Sequence, residues 1–213
     1  MDIVWFGQAC FKIKGKNATI IIDPFDPEFV GLKIPKEYSD IVLISHQHED
    51  HNFPKEISGE PKIFSGPGEY EVKGVTITGI ASFHDKTQGS ERGKNTIFHI
   101  LMDALNIVHL GDFGQASLTE EQIEAINTAD ILLIPVGGVY TIDGKEAVGI
   151  IAALEPKIIV PMHYGMDGLK FNLDSVDKFL EEMGAEGVNP QPKLSITKDK
   201  LPEEPMVVVL SKT

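Results

Sequence analysis

Residues 45–52 read SHQHEDHN and follow directly on the apolar run Ile41-Val42-Leu43-Ile44. A short, β-branched run bounded by polar residues predicts a buried strand. The cluster of His46, His48, Asp50 and His51 therefore falls where the chain leaves a sheet. Layered α/β folds place their sites at strand ends. Neutral imidazole and carboxylate are favoured ligands of zinc, manganese and iron, and irregular backbone after a strand lets neighbouring side chains converge on one point. A solvated polar loop is the simpler alternative, but only 7 histidines occur in 213 residues, and three of them fall within six positions here.

Three more residues of the same chemistry each follow a predicted strand: His84 after Val75–Ile80, Asp112 after Ile107–Leu110, and His163 after Lys157–Val160. A site shared along one sheet edge requires such repeated placement. His99 lies inside the apolar run Thr96–Met102 and His109 just before Gly111 and Asp112; both are expected to be structural. Cys10, the single cysteine, sits in a strand-like segment and reads as a small core residue.

Predicted strands dominate the first hundred residues: Ile3–Phe6, Cys10–Ile13, Thr19–Ile22, Ile41–Ile44, Lys62–Phe64, Val75–Ile80 and Thr96–Met102. Strands then alternate with helices. Ile107–Leu110, Ile131–Ile134 and Lys157–Val160 are strands. SLTEEQIEAIN starts a helix with two capping signals, Ser117 with Glu120 and Thr119 with Gln122. Asp143 and Glu146 cap a helix through Leu154, and a third helix spans Asn172 to Met183. Leu194–Thr197 and Val207–Leu210 close the chain as two strands joined by a Pro-containing turn. Without linker or low-complexity tract, residues 1–213 are expected to form one domain, with helices over the faces of two packed sheets.

A net charge of −13 opposes the phosphate field of nucleic acid, so no nucleic-acid partner is expected. No apolar stretch reaches the ~20 residues of a membrane span. The lone cysteine and the acidic start MDIVWFGQAC suit a cytoplasmic protein.

On these residues the chain resembles the metallo-β-lactamase superfamily of hydrolases. Within it, the similarity is to the small lactonase-like branch typified by L-ascorbate-6-phosphate lactonase. The resemblance rests on WFGQACFKIK, IIIDPF at 20–25, the HxHxDH signature at 46–51, HLGD at 109–112, PVGGVYTID at 135–143 and PMHYG at 161–165. It implies a four-layer αββα sandwich and two divalent metal ions, zinc or manganese. His46, His48 and His84 would hold one ion and Asp50, His51 and His163 the other, with Asp112 bridging. Around His84 the sequence SFHDKTQGSERGKN departs from the family's commoner spacing. Asp23 or Asp85 would orient the ligating imidazoles.

The chemistry that fits is metal-assisted hydrolysis, in which zinc-like ions lower the pKa of water to ~7 and polarise the attacked oxygen. Asp50 would hold the nucleophile and act as the catalytic carboxylate. Lys86, Arg92 and Lys94 crowd one Gly-bearing loop of an otherwise acidic chain, so a small anionic substrate is expected, with Arg92 as its clamp. Tyr140, in the turn Gly137–Thr141, and Tyr164, beside His163, are further candidate contacts. An anionic ester or sugar-phosphate lactone is the first choice and a phosphodiester the second. Iron-dependent oxidoreduction, known in other branches, is disfavoured: diiron members carry Glu where this chain has His48. The oligomeric state stays open, a homo-oligomer included.

Overall fold

The computed structural model describes residues 1–213. Six strands form the first sheet, in the spatial order Leu194–Ser195, Asp2–Gly7, Cys10–Lys14, Thr19–Ile22, Ile41–Ile44 and Lys62–Ser65. Seven form the second: Met206–Val207, Ile158–Met162, Ile131–Pro135, Leu105–His109, Lys94–Met102, Val75–Phe83 and Gly68–Val72. In each sheet hairpin neighbours are antiparallel and crossover neighbours parallel, and the terminal strand Leu194–Ser195 joins the first sheet antiparallel to Asp2–Ile3.

This division follows from sequence pattern. The runs IVLI, ILLIP and IIVPM are apolar throughout and buried at every position, as parallel strands covered on both faces must be. Val75–Phe83 instead alternates buried and exposed residues, because one of its faces is only partly covered. Parallel neighbours need crossovers, and helices supply them. Helix Glu120–Ile126 connects Leu105–His109 to Ile131–Pro135, and helix Gly144–Leu154 connects Ile131–Pro135 to Ile158–Met162. Both start in complete capping boxes, Thr119 with Gln122 and Asp143 with Glu146. The alternative box of Ser117 with Glu120 does not form, since Thr119 holds the N-cap position.

Between the sheets and under these helices lies one core of 46 buried residues, including Trp5, Phe11, Phe98 and Phe113. Each large apolar side chain fully removed from water contributes about 1.5–3 kcal/mol. A smaller cluster of nine, among them Phe6, Cys10, Phe25 and Val30, covers the other face of the first sheet. The covering layer there is thin: a four-residue helix, Pro27–Val30, and irregular chain that brings Leu169 and Phe171 against the cluster. The αββα arrangement is thus present with one reduced helical layer.

Some expected elements differ. The helix predicted from Asn172 is shorter, Val176–Glu182, because Asp174 is drawn into backbone bonds: its N–H donates to Gly137 and its carbonyl accepts from Gly165. The tail strands are two residues each and lie in different sheets, pairing with Asp2–Ile3 and with Ile158–Ile159. Gly68–Val72, an edge strand with the sequence GEYEV, has no apolar run to reveal it and pairs with Val75–Phe83 around Lys73-Gly74.

Candidate metal centre

All seven sequence-predicted ligand residues meet at one edge of the sandwich. Their ligand atoms form two groups, His46, His48 and His84 in one, and Asp50, His51, Asp112 and His163 in the other, with atoms of a group within 4.8 Å of one another. Asp112 is the hub. Its Oδ2 lies 3.2 Å from His84 Nε2, 3.4 Å from His163 Nε2 and 3.9 Å from His46 Nε2, and its Oδ1 lies 3.2 Å from His51 Nε2. Asp50 Oδ2 is 3.6 Å from His51 Nε2 and 4.0 Å from His163 Nε2.

Rings are aimed by a layer of polar groups behind them. Asp23 accepts from Ser45 N–H at 2.7 Å, from Ser45 Oγ at 2.7 Å and from His51 Nδ1 at 2.9 Å. With its hydroxyl hydrogen committed to Asp23, Ser45 Oγ is left to accept from His46 Nδ1 at 3.0 Å. One carboxylate therefore fixes two imidazoles with their Nε2 lone pairs facing the centre. His109 donates through Nε2 to Ala9 O at 2.8 Å and accepts Gly111 N–H on Nδ1, which holds the turn that presents Asp112. His99 bonds Asn106 and stays out of the site.

Sequence reasoning missed three members of this layer. Asn95 accepts the Asp112 N–H on Oδ1 and donates to Ser82 Oγ and Leu110 O. Gln8 reaches Asp50 Oδ2 at 3.5 Å and His163 Nε2 at 3.4 Å, and its carbonyl accepts from both Trp5 Nε1 and His163 N–H. Ser45 is the relay just described. The only sequence signal was their position beside strand ends.

Gln8, Asp23 and His163 all adopt the left-handed conformation, with φ of 49°, 48° and 52°. Each such non-glycine residue costs about 1–3 kcal/mol and persists where surrounding bonds over-determine it.

Two sequence-based assignments are corrected. Tyr164 does not line the site: it is buried in the core with its ring 4.9 Å from that of Trp5, because the left-handed turn at His163 sends the next side chain inward. Asp85 orients no imidazole. Its carboxylate accepts N–H bonds from Thr87, Gly89, Glu91 and Arg92 and organises the loop after His84. Burial pushes its pKa up, but these donors outweigh burial and hold it low.

Arg92 and Tyr140 do face the centre. They line a cleft of about 360 Å³ with His48, Asp50, His84, Asp112, Phe29 and Phe171. The Arg92 guanidinium lies 4.5 Å over the Tyr140 ring. Lys86 is drawn away to pair with Glu146, and Lys94 lines a larger groove of about 690 Å³ that shares His48 and Arg92 with the cleft.

The donor set fits divalent cations. Nε2 of His46, Nε2 of His51 and Asp112 Oδ1 are buried without a hydrogen-bond partner, a costly arrangement unless a cation satisfies them. Burial and the neighbouring His51 lower the His46 pKa to about 3, which keeps that ring neutral and its lone pair available. Burial disfavours charge on His51 too, yet Asp112, Asp50 and Asp23 raise its pKa well above the usual value. A local excess of negative charge asks for a positive partner there. Asp112 lies 3.2–3.4 Å from rings of both groups, His84 in one and His51 and His163 in the other, so its carboxylate could serve an ion held by either.

Gly137 packs under His163, where an added Cβ would run into the His163 carbonyl oxygen. Gly137→Ala is expected to cost about 1–3 kcal/mol in chemical denaturation, as for other forced overpacking. An unchanged unfolding midpoint would show that the backbone yields freely there.

Two packed sheets with a His/Asp donor cluster at their shared edge define a metallo-β-lactamase fold. Residues 2–163 match the family model of the beta-lactamase superfamily domain, and the chain belongs to that family and to the UPF0173 metal-dependent hydrolases. A UPF0173 metal-dependent hydrolase of Methanoculleus marisnigri is 30% identical over 205 residues, 85% of this chain and 89% of that one. Another from Thermoplasma volcanium is 31% identical over 189 residues, 77% of this chain and 83% of its own. A solved structure from Thermotoga maritima, assigned to the Zn-dependent hydrolases of the superfamily, is 40% identical with a TM-score of 0.81, covering 98% of this chain and 97% of that one. An isothiocyanate hydrolase from Delia radicum gut bacteria shares the fold at 14% identity, with a TM-score of 0.69 over 92% of this chain and 99% of its own.

Proposed function

We propose that this metal-dependent hydrolase carries two divalent ions, zinc or manganese, and opens a small anionic ester or lactone, with sugar-phosphate lactones the favoured class. His46, His48 and His84 would hold one ion and Asp50, His51 and His163 the other, with Asp112 shared. The observation that carries this reading is the convergence of partnerless buried nitrogens on Asp112. When bound, the ions would lower the pKa of water and polarise the attacked oxygen.

This chain's own side chains do the rest. Burial raises the Asp50 pKa, but the neighbouring His51 and His163 outweigh it and hold it low, so the carboxylate stays ionised across the neutral range. Half-buried in the cleft lining, the Asp50 carboxylate is placed to orient an attacking water and accept its proton. Gln8, which donates to Asp50 Oδ2, keeps that carboxylate in place. Arg92 would hold the substrate's anion.

Elemental analysis of protein saturated with zinc or manganese is expected to give two ions per chain. One ion at saturation would count against the His46–His48–His84 group or its partner, and none would overturn the assignment. A screen of lactones and esters should then find turnover that a chelator abolishes.

A further inference from the structure

One wall of the cleft is aromatic, and the proposed hydrolysis leaves it without a role. Phe29, Tyr140 and Phe171 come from three distant segments: the short helix Pro27–Val30, the Gly137–Thr141 turn, and the chain before helix Val176–Glu182. Phe29 and Phe171 lie 5.4 Å apart between ring centroids, and Phe171 and Tyr140 6.3 Å apart. Arg92 ends the row, stacked on Tyr140. All four line the same cavity as His48, Asp50, His84 and Asp112.

Such a wall is costly without an occupant. Phe29 is 41% exposed, although a phenylalanine gains most from leaving water. Its ring helps little with the nine-residue cluster beneath, which Val30 of the same helix enters fully. The three rings and the guanidinium instead make a continuous surface, apolar along its length and cationic at one end. Aromatic faces take up planar and apolar groups in offset or edge-on contact, and a stacked guanidinium keeps its in-plane N–H groups free for a carboxylate or phosphate.

We infer that Phe29, Phe171 and Tyr140 form a binding subsite for an apolar or aryl body on the substrate, with its anionic group on Arg92 and its scissile bond above Asp50. This rests on the proposed hydrolase reading, keeps its small anionic ester and replaces the sugar body with an apolar one. An aryl or acyl carboxylate or phosphate ester meets the description better than a polyol, whose hydroxyl groups would have to leave water against three rings.

Calorimetric titration of the metal-loaded protein with acetate, glucuronate and 2-naphthoate tests this. The wild type is expected to bind 2-naphthoate about tenfold or more tighter than the other two. Phe171→Ala and Phe29→Ala should each weaken 2-naphthoate by about threefold to tenfold and acetate much less. Phe171→Leu keeps the apolar contact with the underlying cluster without the ring, and circular dichroism on each variant identifies loss of fold. Should Phe171→Ala unfold, Phe171→Leu must still show the selective loss. Equal binding of all three anions, or preference for glucuronate, would overturn the subsite. Elemental analysis of the same samples separates the two readings. Full metal loading with no naphthoate preference overturns the aromatic wall alone. A naphthoate preference in protein that takes up no metal overturns the metal assignment alone.

Discussion

Asp50→Ala is expected to lower kcat/KM by about 10²–10⁴-fold, the range of a positioned general base. The loss should exceed that of any other single cleft residue outside the metal-ligand set, because Asp50 combines two roles. Its Oδ2 stands 3.6 Å from His51 Nε2 and 4.0 Å from His163 Nε2, where it completes one donor group. Asp50 also lines the cleft, where a nucleophile must be oriented. Metal analysis of the variant should show one group weakened while His46, His48 and His84 retain theirs. Most of the activity surviving with both ions bound would remove Asp50 from the mechanism.

Arg92→Ala should discriminate between substrates. Loss of one charge-assisted hydrogen bond costs about 1.5–3 kcal/mol, roughly a tenfold to hundredfold drop in kcat/KM. The drop should fall mainly on KM for a phosphorylated or carboxylated substrate and leave its neutral analogue much less affected. The position of the guanidinium, at the cleft rim and stacked over Tyr140, argues for this. Equal losses for both substrates would mean that Arg92 supports the loop and does not recognise an anion. Arg92→Lys is a useful companion. It keeps the charge but loses the planar stack and fork, so partial recovery would apportion the effect between charge and geometry.

The donor cluster was legible because its signals are local. Apolar runs ended in His or Asp at 46, 84, 112 and 163, and the fold brings those strand ends to one edge. Asp23 was legible for a similar reason, as the polar residue closing the run of isoleucines at 20–22. The roles of Asn95 and Gln8 could not be read. Asn95 meets Asp112 across 17 residues through the pairing of neighbouring strands, and Gln8 meets His163 across 155, a contact that exists only once the two sheets have packed. Tyr164 was misassigned for the converse reason: adjacency to His163 in sequence says nothing of direction when the backbone between them turns left-handed. The aromatic wall was equally hidden, since its three rings share no spacing.

The loop after His84 has a consequence for how new specificities could arise. Every donor to the Asp85 carboxylate lies within residues 87–92 of the same loop. Its shape is therefore encoded locally and borrows little from the rest of the molecule. A segment of this kind can be exchanged as a cassette. Provided that Asp85 and the left-handed Gln88 (φ 57°) and Gly89 (φ 82°) are kept, positions 86, 90, 91 and 92 can vary together while the donor groups behind His84 stay undisturbed. Libraries confined to those four positions would change what enters the cleft at small cost to the scaffold, and a lineage diverging by this route would keep its metal chemistry while changing substrate.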